Sequence, residues 1–167
     1  MMRHRTRIVF LLGIFTLMAA HCGGQEVPVN HGKLDERLGW LIGEWTAEKV
    51  AIADQTQKAS AKYAWTAKDQ VIRMELTIGD WQGLSIIFWD TSDDTIKMWG
   101  ANSAGGNGQA SMRVEGDELI WTNTVYDKDG KKSVSEFSYI KQDSKTFIVK
   151  YTDEATGEVR RAVNKKR

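Results

Sequence analysis

Ile72-Arg73-Met74-Glu75-Leu76-Thr77-Ile78-Gly79-Asp80 is the stretch that decides the fold. Apolar side chains fall at every second position, with charged or polar ones between them. This is the period of a strand with one buried face. Gly79-Asp80 then supplies the chemistry of a tight hairpin turn. The same alternation spreads outward along the chain. Ala59, Ala61, Tyr63 and Trp65 alternate with Lys58, Ser60 and Lys62. Leu119, Trp121 and Val125 alternate with Glu118, Thr122 and Thr124, and Phe147, Val149 and Tyr151 oppose Lys150 and Thr152. The apolar member of each set is expected to point inward. Residues 81–90 are apolar on both faces, so that strand is expected either under an N-terminal helix or at an interface.

Ten runs of this kind are spaced along the chain, at 44–53, 57–66, 70–78, 81–90, 95–102, 108–115, 118–126, 132–140, 145–152 and 157–163. The breaks carry turn residues, among them Glu115-Gly116-Asp117, Asp127 to Gly130 and Ala155 to Gly157. Gly105-Gly106-Asn107-Gly108 suggests a looser, mobile turn. Connections this short cannot carry parallel crossovers, so the strands run up and down. The fold class is therefore all-β and antiparallel. Closing eight to ten strands into a barrel removes the exposed edges; a curled open sheet or a flattened sandwich is the alternative. Ahead of the strands, Leu34, Leu38, Leu41 and Ile42 recur at helical spacing, and Gly43 stops the helix.

The first 22 residues read as a targeting segment. Arg3, Arg5 and Arg7 precede an apolar run, Ile8 to Met18, of signal-peptide length, and Ala19-Ala20 supply small residues for cleavage. No later stretch is long and apolar enough to span a bilayer. The expected organisation is a signal peptide at 1–22, a flexible tether at 23–32 and one barrel domain at 33–167. Removing the three leader arginines from 23 bases leaves 20 against 22 acids, a net charge of −2. Such a surface gives no footprint for nucleic acid and no polybasic patch for lipid. Cys22 is the single cysteine, which excludes an internal disulfide.

Two resemblances add to this reading. Ala19-Ala20-His21-Cys22-Gly23-Gly24 resembles a bacterial lipobox, which implies lipidation of Cys22 and an anchor in the cell envelope. His21 and Ala19 depart from that pattern, and cleavage after Ala20 with a free thiol is the alternative. Leu38-Gly39-Trp40-Leu41-Ile42-Gly43-Glu44-Trp45 resembles the opening of calycin-type barrels, the lipocalins and fatty-acid-binding proteins. With Trp89-Asp90, Trp99 and Gly105-Gly106 it is similar to secreted bacterial lipocalin-like domains of unknown function. The resemblance implies a closed up-and-down barrel, with Gly43 and Trp45 as the structural motif and Trp45 as the plug of one end. It also implies a late basic residue over that indole, for which Arg160 or Arg161 is expected.

Catalytic chemistry finds little support. The three histidines, His4, His21 and His31, all precede the strands, so no triad, proton shuttle or zinc site is expected. No cofactor is expected either; for haem, only Tyr63, Tyr139 and Tyr151 would remain as axial ligands. Asp127-Lys128-Asp129-Gly130 suits a hairpin rather than a calcium loop, whose later ligands it lacks. What is left is an aromatic and methionine load that either fills the core or lines a ligand cavity. In the second case the expected contacts are Tyr63, Trp65, Met74, Met98, Met112, Trp121 and Tyr151. Two main functions stay open. One is non-catalytic binding of a small hydrophobic or amphipathic molecule outside the cytoplasm. The other is an envelope interaction module with a packed barrel. An enzyme is the third and least supported reading, and oligomeric state is not legible.

Overall fold

The computed structural model of the protein describes residues 31–52, 55–67, 70–152 and 157–167. The leader, Cys22, most of the tether and residues 153–156, where the turn expected at Ala155 to Gly157 begins, lie outside the described residues. A short helix, α1 (His31–Leu38), leads into a 3-10 turn at Gly39–Leu41. The helix thus begins inside the expected tether, because a helical turn of backbone must precede the first core position, Leu34. Ten strands follow: β1 (Gly43–Ile52), β2 (Gln55–Thr66), β3 (Val71–Ile78), β4 (Trp81–Asp90), β5 (Thr95–Asn102), β6 (Asn107–Glu115), β7 (Glu118–Tyr126), β8 (Lys132–Lys141), β9 (Thr146–Thr152) and β10 (Val159–Lys166).

Each strand pairs antiparallel with the next, and β1 pairs with β10, so the sheet closes into a ten-stranded up-and-down barrel. Closure leaves no unpaired edge, which resolves the earlier choice against an open sheet or a sandwich. The seam is short, with Trp45 opposite Lys166 and Thr46 opposite Lys165. A register shift between Ala47 and Val50 marks a bulge in β1, beyond which its pairing with β2 resumes. β10 runs to Lys166, three residues beyond the run expected from alternation, and this extension is what makes the seam.

The turns behave largely as their chemistry dictates. In the β7–β8 hairpin, the Asp127 carboxylate accepts the N–H groups of Asp129 and Lys131 at 2.9 Å. The glycine-rich connection after β5 is tied down rather than loose. The Asn102 side-chain oxygen accepts the N–H groups of Ala104 and Gly106, and Asn107 and Gly108 already belong to β6.

The interior has two halves. At one end α1 and the 3-10 turn place Leu34, Leu38 and Leu41, all buried, against Trp45, Ile72, Ile87, Ile96, Trp121 and Phe147. Fully burying a leucine contributes about 1.5–3 kcal/mol, so this cap holds the end shut. The helix does not cover the outer face of β4. There Leu84 is 53% exposed and Ile86 is 40% exposed, and Trp99 on β5, opposite Ile86, is 51% exposed.

Candidate functional site

The closed end is organised around Trp45. Its indole N–H donates to the Leu41 carbonyl at 2.6 Å. Its ring meets Phe147 edge-on at 4.8 Å and Trp40 edge-on at 6.2 Å. The cation over the ring is Lys166, with Nζ 5.2 Å from the centroid, and not Arg160 or Arg161. The extra length of β10 explains the difference, because only its last residues lie opposite Trp45. Gly43 is part of the same arrangement. Its φ is +130°, and a Cβ there would meet Lys166 Cε at 2.7 Å. The glycine lets the lysine stem cross the chain to reach the indole.

Toward the other end the barrel is hollow. A cavity of about 380 Å³ runs from the level of Tyr63, Tyr139 and Phe147 to a mouth at Trp81, Ala101 and Asn102. Its cause is a row of small residues. Met74, Ser85, Gly100, Gly108 and Val125 face one another in register across β3 to β7. Ser85, Gly100 and Gly108 contribute almost no side-chain volume. A Cβ on Gly100 would meet the Ser85 hydroxyl and, at 2.8 Å, the Leu84 carbonyl oxygen. Ala59, Ala61 and Ala162 keep the opposite wall thin.

The lining is apolar with a few neutral polar groups, among them Ser85, Asn102, Asn123 and Asn164. Among the described residues no charged side chain lines it. Arg160, the next inward-facing position past Ala162, stands toward the mouth and already has a partner. At the floor the Tyr63 and Tyr139 hydroxyls lie 3.2 Å apart. Burial, reinforced by the neighbouring Tyr139, pushes the Tyr63 phenol well above its ordinary range. Burial raises Tyr139 as well. Both phenols therefore stay neutral across the physiological range.

The structure brings four of the expected contact residues together on this cavity: Tyr63, Met74, Met98 and Tyr151. Trp65, Met112 and Trp121 point inward but pack in the capped half instead. Trp121 is fully buried there, its indole N–H without a protein acceptor. Residues missed from the sequence include Phe137, Tyr139, Asn123 and Ser85. The same every-second-residue register would have found Asn123, between Trp121 and Val125, and Ser85, between Gly83 and Ile87. Among the described residues, no group of three or more His, Cys, Asp or Glu is placed to hold a metal ion. No described helix is long and apolar enough to cross a membrane.

Fold and site together define a closed ten-stranded antiparallel barrel, capped at one end and hollow toward the other. No protein-family model matches the chain, and no curated protein matches it in sequence.

Proposed function

We propose that this chain is an exported, non-catalytic barrel that binds a small hydrophobic or amphipathic molecule in its interior. The observation that carries the reading is the apolar cavity of about 380 Å³, within the size range of small-molecule sites. Its wall combines adaptable methionines, Met74 and Met98, with a few fixed hydrogen-bonding groups. Kinship with the lipocalin-like barrels is part of the proposal. Support comes from the order helix, Gly43-Glu44-Trp45, first strand, and from the cation over a buried Trp45. Export rests on the leader at 1–22, with lipidation of Cys22 as the route to an envelope anchor.

The test is a titration with the neutral fluorescent probe N-phenyl-1-naphthylamine. Saturable enhancement at one site per chain is expected, and it should be lost when Ala59→Leu fills the wall. Enhancement that is absent, or that survives the filled cavity, counts against an interior site.

A second reading, an interaction module of the envelope, is favoured by the outer face of β4 and β5. Leu84 and Ile86 are exposed there, and Phe88 meets Trp99 edge-on at 5.1 Å. Apolar strips of this kind are common at protein contacts. The two readings are compatible, because one uses the inner face and the other the outer.

A further inference from the structure

The cavity's chemistry narrows the class of molecule it accepts, on the reading that it holds a ligand at all. Two features of the lining decide this.

The first is charge. Among the described residues, the lining from the floor at Tyr63 to the mouth at Asn102 holds no Lys, Arg, Asp or Glu. An ionised group carried into such a site loses its hydration and meets no counter-charge. It enters as its neutral form or stays out. Arg160, an inward-facing position near the mouth, is already engaged with a partner.

The second is the floor. Tyr63 and Tyr139 are 3% and 6% exposed, and their hydroxyls lie 3.2 Å apart. Each phenol carries one O–H donor. Their mutual hydrogen bond uses one of the two protons. Among the described residues the second proton has no acceptor beyond the pair, and the two hydroxyls sit at the base of the apolar cavity. A buried donor of this kind is suited to an acceptor brought in by a ligand. The neutrality of the phenols keeps both protons in place.

We infer that the occupant is an uncharged, single-headed molecule whose hydroxyl or carbonyl oxygen docks on the Tyr63–Tyr139 pair, with its apolar part filling the barrel toward the mouth. At interior packing density, the cavity suits roughly ten to fifteen non-hydrogen atoms. Fatty alcohols, small terpenoid alcohols and medium-chain ketones or lactones share this chemistry. Ionised fatty acids do not.

Equilibrium dialysis of the full chain against 1-decanol, decanoate, decylammonium and decane tests this. At pH 8, 1-decanol is expected to bind at least tenfold more tightly than decanoate or decylammonium. Decanoate should regain about tenfold in affinity for each pH unit lowered toward its carboxyl pKa, because only the acid form enters. Single Tyr→Phe changes leave one hydroxyl to serve the ligand, so the informative variant is Tyr63→Phe/Tyr139→Phe. Its preference for 1-decanol over decane should shrink by about three- to tenfold, the size of one neutral hydrogen bond. An unchanged circular dichroism spectrum checks that the variant folds. Equal binding of decanol and decanoate at pH 8, or a double variant that keeps its full preference, overturns the inference and leaves the carrier reading standing. Such a result would place a head group at the mouth beside Arg160. Failure of all four compounds, decane included, overturns the carrier reading itself.

Discussion

Trp45 is the residue on which the closed end depends, and its surroundings account for Gly43 and Trp45 of the Gly43-Glu44-Trp45 motif. The indole fills the space under the helix, its N–H is satisfied by Leu41, and Phe147 and Lys166 meet it on the remaining sides. Trp45→Ala is expected to lower stability by about 3–5 kcal/mol in urea unfolding, as large core truncations do. A loss below about 1 kcal/mol would contradict its role as a plug. Gly43→Ala should cost about 1–3 kcal/mol, because it strains the backbone and displaces Lys166. The tyrosine pair makes a pH prediction. Both phenols have raised pKa values in the folded chain, so their neutral form is favoured by folding. Their contribution is complete below the ordinary tyrosine pKa of 10.0 and is lost as pH rises through the higher folded values. Alkaline unfolding should therefore accompany ionisation of two phenols. In Tyr63→Phe/Tyr139→Phe the fall in stability above pH 10 should be shallower, and an identical profile would contradict the buried pair.

At the level of elements, strand count and most boundaries were legible because alternation and turn chemistry agree along most of the chain. The hairpin at Gly79-Asp80 joins β3 to β4 with Ile78 opposite Trp81, as the period-two reading requires. Height along the barrel was not legible. Trp65, Met112 and Trp121 have the right type and the right face for a ligand contact, yet they fall in the capped half. Periodicity reports which face a residue occupies. Strand tilt and register decide whether that position lies in the packed or the hollow part, and no single strand contains that information. The hollow has its own sequence signal in inward positions with little volume: Ala59 and Ala61 on β2, Ser85 on β4, Gly100 on β5, Gly108 on β6 and Ala162 on β10. That signal emerges only once the strands are set in register. The end of β10 was missed because Asn164-Lys165-Lys166 reads as a polar tail. The seam with β1 holds it in the sheet, and Arg167 N–H donates to the Glu44 carbonyl at 2.9 Å. The expected loss of probe binding in Ala59→Leu belongs to this scale. Ala59 lies opposite Ala47 and Ile78, so a longer side chain there extends into the hollow.

For the whole molecule, the barrel divides into a packed half and a hollow half, and the proposed binding site lies in the hollow one. The cap, Trp45 and the leucines of α1 supply apolar burial at one end. This leaves the other end free to hold small residues, a neutral polar floor and an open mouth. The outside is covered by modest cross-strand pairs such as Arg113 with Glu136 at 2.6 Å, exposed enough to contribute little each. The apolar strip of Leu84, Ile86 and Trp99 breaks that pattern on one side. The central claim is that the hollow is occupied in the cell by a small uncharged molecule. Native mass spectrometry of the protein purified without refolding tests it most directly. The account predicts a bound small-molecule mass that is lost on denaturation and is absent from a preparation of Ala59→Leu. A clean ligand-free mass under the same gentle conditions, from protein that binds neither 1-decanol nor the fluorescent probe, would contradict it.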